Sequence, residues 1–305
     1  MKHTRFTEKR DFDKFYQLPF ANHFEEGYTA HGDQWYKWAG TDTYNAFQHN
    51  KYKDGMQYWI DNPFGYRVNK QEFRTNIDFD KHHGDVSIAL GCSNTFGLGM
   101  PEEWIWPTLM VEHVNHPVVN LGIAGSGVDH AYLALHHVID KLNIINVFHF
   151  HQRFGRRLMI NYYSSNDKYL APLSFQDDKH RVYEDRYWKN VMVDEGMIDF
   201  EHKRAVDAIA GMCYSRGIKY YNFNIQPFKK YFVRDNYDVH AINKSNLKQV
   251  KHLEEGDIIA RDLIHPSKMQ QQSIAQRFID HLDLDSYIEP FYNIDKQTFT
   301  RKSRV

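Results

Sequence analysis

The chain has 305 residues, enough for one large domain or two small ones around a real core. Its 38 basic and 39 acidic side chains leave a formal net charge of -1, and with 42% apolar and 25% charged residues it has an ordinary globular composition. That excludes a global field drawing it onto nucleic acid or an anionic membrane surface. No run approaches the roughly 18 apolar residues of a spanning helix. The opening MKHTRFTEKRDFDKFYQ has no apolar core of a secretory signal, so the expectation is a cytoplasmic protein, or one carried on a larger particle such as a virion. Cys92 and Cys213 stand far apart and imply neither a disulfide framework nor a metal spacing.

Residues 1–84 are polar, aromatic and weakly periodic, with turn signals at Asp61-Asn62-Pro63 and Phe64-Gly65. They read as an N-terminal elaboration packed on a main domain at 85–285. DVSIALG (85–91) is an apolar run ending in glycine, as expected of a buried parallel strand. WIWPTLMVEHV (104–114) predicts a helix with Pro107 in its first turn. PVVNLGIAG (117–125) predicts a second strand, SGVDHAYLALHHVIDKL (126–142) a helix capped by Ser126, and NIINVFHF (143–150) a third strand. Residues 198–217 form an amphipathic pattern stopped by Gly217, IKYYNFNI (218–225) a fourth strand, and 265–282 a last helix capped by Ser267. Strands alternating with helices imply a three-layer α/β/α sandwich, flavodoxin-like, with ligands beyond the carboxyl ends of the strands. Residues 154–195 and 226–256 are too long for plain connections and read as lid or binding insertions. Residues 286–305 read as a C-terminal tail.

Three motifs fall at that carboxyl edge. ALGCSNTFGLG (89–99) puts Ser93 directly after a buried strand. RDLIHPSKM (261–269) spaces Asp262 and His265 so that a carboxylate can hold one imidazole nitrogen and leave the other free to take a serine proton. VVNLGIAGSG (118–127) allows the Gly125 N–H to point at a developing oxyanion. Each alone is also what an ordinary turn or polar loop looks like; their order along the chain is the stronger signal. His149 and His151 lie on one strand face and could ligate a metal, but no third ligand stands at useful spacing, so no metal and no cofactor is expected. Cys92 alternates away from Ser93 and reads as a small buried residue.

This order of motifs resembles the SGNH, or GDSL-like, hydrolase family over roughly residues 85–282. GCSNTFG resembles its first block, with Cys92 where Asp is usual; NLGIAG resembles its second and RDLIHPS its last. NPFGYRVNKQEFR (62–74) also resembles an N-x-x-G-x-R lead-in seen in some members. The resemblance implies a serine esterase with Ser93 as nucleophile, His265 as base and Asp262 as its orienting acid, and an oxyanion hole from the N–H groups of Ser93 and Gly125. The family's third block supplies an Asn; here VFHFHQRFGRR (147–157) has none, so Gln152, and after it His151, are the substitute donors. Arg153, Arg156 and Arg157 form a basic patch, of which Arg153 and Arg156 are the candidates to hold an anionic substrate group. The expected partner is a small-molecule or glycan ester, the latter favoured by the aromatic loops at 154–195; neither nucleic acid nor membrane is expected. The rival reading is a weakened, glycan-binding or structural relative on the same fold.

Overall fold

The aromatic-rich segments FEEGYTA and DQWYKWA pair as an antiparallel hairpin, β1 (Phe24–Ala30) and β2 (Asp33–Ala39). The computed structural model describes residues 24–30, 33–151, 156–161, 169–174, 195–223, 256–284 and 287–288. Two short helices follow. α1 (Tyr44–Asn50) is capped by the Thr43 hydroxyl, which accepts from the Ala46 N–H at 3.1 Å. α2 (Gln57–Asp61) leads to β3 (Tyr66–Val68), which adds to the free edge of β2. This small sheet docks on the rest of the chain. The Tyr66 ring stacks on Phe96 at 5.8 Å, and Trp59 Nε1 donates to the Ile259 carbonyl at 2.9 Å.

β4 (Asp85–Leu90) is buried at every residue but the first, the pattern of a parallel strand covered on both faces. It runs into a single turn, α3 (Ser93–Phe96). The helix expected over 104–114 is broken. Pro107 has no N–H with which to continue one, so the chain is extended at Ile105 and restarts as α4 (Trp106–Leu109) and α5 (Val111–Val114). β5 (Val118–Asn120) is shorter than expected, because the Asn120 side chain, not a neighbouring strand, takes the Gly122 N–H at 2.9 Å. α6 (Val128–Val138) is capped at Gly127 without a side-chain bond; Ser126 donates instead to the Gly91 carbonyl at 3.3 Å. β6 (Asn143–Phe150), the hairpin β7 (Arg156–Asn161) and β8 (Tyr169–Ser174), α7 (Glu195–Tyr214) and β9 (Lys219–Phe223) follow. α8 (Lys268–Ile279) starts at the expected Ser267 cap, which Gln270 completes as a capping box. A fifth strand that the sequence reading did not foresee, β10 (Tyr287–Ile288), pairs with β9. The rest of the 154–195 insertion and residues 226–255 lie outside the described residues.

The five strands are parallel in the order β5-β4-β6-β9-β10. Numbered by their succession in the chain this is 2-1-3-4-5, the flavodoxin-like doubly wound order, so the expected three-layer sandwich is the observed one. Strand alternation divides the core. Val86, Ile88, Leu90 and Val147 face α6 and α7, where Leu135, Val206 and Ile209 close over them. Ala89, Phe148 and Phe150 face the other way, against Trp106, Ile274 and Phe278. Fully burying an aliphatic or aromatic side chain contributes about 1.5–3 kcal/mol, so both helix layers are held mainly by this sheet. Winding reverses between β4 and β6. The crevice at their carboxyl ends is where such sheets bind ligands. Ser93 follows β4 and His151 follows β6. No helix among the described residues is long and apolar enough to cross a membrane.

Candidate functional site

Ser93 opens the one turn of α3 and is buried, as is all of α3. The turn is closed by its own carbonyl, which accepts from the Gly97 N–H at 2.8 Å and the Leu98 N–H at 3.1 Å. Gly97 takes φ 79° to do this, and a Cβ there would lie 2.2 Å from Ile105 Cγ2, so glycine is required twice over. Arg74, fully buried, clamps the same stretch from outside. Its guanidinium donates to the carbonyls of Phe96, Gly97 and Met100 at 2.9, 2.6 and 2.7 Å. The Asn120 amide donates to the Thr95 carbonyl at 2.8 Å from the opposite side.

Asp262 and His265 are in direct contact, with His265 Nδ1 2.5 Å from Asp262 Oδ2. The carboxylate is fully committed. Oδ2 also accepts from Thr41 Oγ1 at 2.6 Å, and Oδ1 accepts from the N–H groups of Ile264 and His265 at 3.0 and 3.1 Å. Burial alone would raise this carboxyl. The charge of His265, with the hydrogen bonds from His265, Thr41 and Ile264, outweighs burial and holds Asp262 well below the usual carboxylate range. The dyad is thus a buried carboxylate orienting an imidazole through Nδ1, with Nε2 left for other work.

Two hydrogen bonds tie the Ser93 turn to the segment bearing that dyad. The Gly99 carbonyl accepts from the Arg261 N–H at 2.8 Å, and the Asn94 carbonyl accepts from Gln271 Nε2 at 3.2 Å. A Cβ on Gly99 would lie 3.0 Å from Asp262 Oδ1, so the two segments are in contact there. Among the described residues no hydrogen bond joins Ser93 to His265; Ser93 Oγ donates to the buried Cys92 sulfur at 3.9 Å. Such bonds commonly tighten only when substrate is bound. The Gly125 loop is held against the same strand end, because the Gly91 carbonyl accepts from both the Ile123 N–H at 3.2 Å and the Ser126 hydroxyl. Gly125 itself takes φ 73°.

His151 is buried and turned into the α7 layer. Its Nδ1 pairs with His202 Nε2 at 2.9 Å, and its ring lies 4.7 Å from that of His149, which in turn meets the Tyr220 hydroxyl at 2.8 Å. Burial holds His151 well below the usual imidazole range and brings His202 down to about 3. Among the described residues no group of three or more His, Cys, Asp or Glu side chains could hold a metal ion. Arg156 opens β7, opposite Ser174. Gln152 and Arg153 lie outside the described residues. Cys92 and Cys213 are both buried and free, and burial pushes the Cys213 thiol up to about 12.

Sequence reasoning missed the second tier. Asp42 and Arg261 form a buried ion pair at 2.6 Å; Tyr66 donates to Asp42 and accepts from the Gly99 N–H at 2.8 Å. Arg261 also donates to the Lys37 carbonyl at 2.8 Å. The N-terminal elaboration therefore reaches the dyad both directly, through Thr41, and through Arg261, the residue before Asp262. The only signal for this was the N-x-x-G-x-R lead-in, whose Tyr66 and downstream Arg74 turn out to hold the Ser93 turn.

No protein-family model matches this chain, and no curated protein does. Solved structures do match. One, a proposed lipolytic protein of the G-D-S-L family from Desulfitobacterium hafniense DCB-2, aligns at 14% identity and a TM-score of 0.36, over 65% of this chain and 99% of its own. A likeness of that size speaks to neither mechanism nor substrate, and the site has to be read from its own residues.

Proposed function

We propose that the chain is a serine ester hydrolase of the SGNH type. The observation that carries the reading is the Asp262–His265 contact, its carboxylate buried and hydrogen-bonded at both oxygens, on a segment bonded to the Ser93 turn at Asn94 and just beyond it at Gly99. In the proposed reaction Ser93 Oγ attacks the ester carbonyl carbon while its proton passes to His265 Nε2. Asp262 holds His265 in the tautomer that leaves Nε2 unprotonated and stabilises the imidazolium that forms. The tetrahedral oxyanion is assigned to the N–H groups of Ser93 and Gly125. Collapse expels the alcohol, which takes the proton from His265, and leaves an acyl-serine. Water, deprotonated by His265, then attacks the acyl carbon, releases the acid and restores Ser93.

The third oxyanion donor is assigned to Gln152, because the His151 ring is engaged with His202 in the α7 layer. Removing such a donor lowers kcat by roughly 100- to 1000-fold, the effect expected of Gln152→Ala. Arg153 and Arg156 are assigned to an anionic part of the substrate. We extend the reading to an O-acyl group carried on a carbohydrate, which the chain's 15% aromatic content supports. The test is turnover of p-nitrophenyl acetate beside Ser93→Ala. Turnover lost in the variant is expected; turnover equal in the two removes the proposed nucleophile.

A further inference from the structure

One open cleft lined wholly by described residues is not at the dyad. It has a volume of about 1030 Å³ and lies on the N-terminal elaboration, and none of Ser93, Asp262 and His265 lines it. Small-molecule sites run to roughly 300–1,000 Å³, so this one lies just above that range. Its walls are unusual for solvent-facing surface. Tyr28 and Tyr44 expose 42% and 48% of their area, and the Tyr28 ring stacks on Trp35 at 6.4 Å. Tyr28 and Trp35 stand opposite each other on β1 and β2, so strand register fixes the Tyr28 ring against Trp35. Trp35, Trp38 and Phe64 are not available as platforms, because the Arg67 guanidinium lies over the first at 5.9 Å and that of Arg261 covers the other two at 4.4 and 3.9 Å.

The polar groups decide which ligand fits. Arg67 holds Glu102 at 2.7 Å, Lys37 holds Glu26 at 2.9 Å, and Arg261 holds Asp42. Each cation lining the cleft thus has its own carboxylate, so the cleft offers no surplus of positive charge for a nucleic acid or polyanion. An alkyl chain would strip water from Arg67, Glu102, Glu103 and Gln48 and give nothing back. A neutral sugar satisfies both kinds of surface. Its C–H face lies on a ring, and its hydroxyls both donate to carboxylates and accept from guanidinium and amide.

We propose that this cleft binds a neutral oligosaccharide, stacked on Tyr28 and Tyr44 and hydrogen-bonded by the Arg67–Glu102 pair and Glu103. The site deepens the esterase reading by naming where the carbohydrate half is held. It rests on that reading only for the chemistry at Ser93, since binding needs no turnover. Arg261 joins the two sites: its guanidinium lines the cleft, and the next residue is Asp262.

The experiment titrates the full-length chain with cellotetraose, xylotetraose, maltotetraose and chitotetraose, reading tryptophan fluorescence and calorimetric heat. At least one sugar should bind saturably to wild type. Its affinity should fall at least ten-fold in Tyr28→Ala/Tyr44→Ala, a pair exposed enough to be replaced without loss of fold, as circular dichroism and Tm would check. Binding by none of the four sugars, equal binding by the double variant, or saturable binding of a proline-rich peptide in place of every sugar would each overturn the proposal. Ester turnover without sugar binding sinks this site alone; sugar binding by a chain silent on every ester sinks the hydrolase reading alone.

Discussion

Asp262 Oδ2 accepts two hydrogen bonds, from His265 Nδ1 at 2.5 Å and Thr41 Oγ1 at 2.6 Å, and that sharing fixes the carboxylate behind the proposed base. Thr41→Val removes one of the bonds that orient Asp262, so kcat should fall while KM and Tm stay near wild type. An unchanged kcat would make Thr41 a packing residue only. Asp262→Asn should be far more severe. It replaces the acceptor with an amide that favours the wrong tautomer of His265, and kcat should fall on the order of 10⁴-fold with the fold intact. A fall of less than about ten-fold would show that His265 does not depend on this carboxylate. The sequence exposed Ser93, Asp262 and His265 because nucleophile and dyad sit in short local motifs. It hid Thr41, which is 221 positions from Asp262 and has no local pattern to mark it.

At the scale of elements, what holds the site is polar contact between segments that the sequence presents as unrelated. Gln271 on α8 is the plainest case. It is fully buried, accepts from the Trp106 N–H at 3.0 Å and donates to the Asn94 carbonyl, so it joins α8 to α4 and to the Ser93 turn. Gln271→Leu keeps the volume but strands a buried N–H and a buried carbonyl, and should cost about 2 kcal/mol of stability by urea denaturation. A cost near zero would mean that these groups find other partners. Gly122→Ala tests the other side of the turn. Its Cβ would lie 2.3 Å from the Phe96 backbone nitrogen, so either the β5 loop or α3 has to shift, at about 1–3 kcal/mol. The parallel strands β4, β5, β6 and β9 and the helices α6 to α8 were legible, because period and glycine stops are local signals. The break at Ile105, the Gly127 cap and β10 were not. The first depends on a missing proline donor, the second on Ser126 finding the Gly91 carbonyl, and the third on a partner strand more than 60 residues earlier.

For the molecule as a whole, burial of neutral imidazoles sets the response to acid. His130 and His202 are both brought down to about 3 by burial, and His151 is lowered well below its usual range. In the unfolded chain a histidine titrates near about 6.5. Below that pH the unfolded state takes up protons that the native state refuses, so stability is full above about pH 6.5 and is lost as pH falls toward 3. The slope approaches about 1.4 kcal/mol per pH unit for each such imidazole. Asp262, held low in the fold, adds a loss in the same direction at pH values below about 4. The urea midpoint should therefore drop clearly between pH 7.5 and 5.0, and less so in His130→Gln/His202→Gln; a midpoint independent of pH would contradict the buried, neutral state of these rings. The doubly wound sheet puts the turns that carry Ser93 and Gly125 at the ends of the neighbouring strands β4 and β5, and the segment that carries Asp262 and His265 is hydrogen-bonded to the Ser93 turn. Whether Ser93 is a working nucleophile is answered most directly by treating the full-length chain with a fluorophosphonate and mapping the adduct by mass spectrometry. The account predicts one phosphonylated residue, Ser93, with labelling abolished in Ser93→Ala and slowed in His265→Ala. Labelling at another residue, or equal labelling of Ser93→Ala, would contradict it.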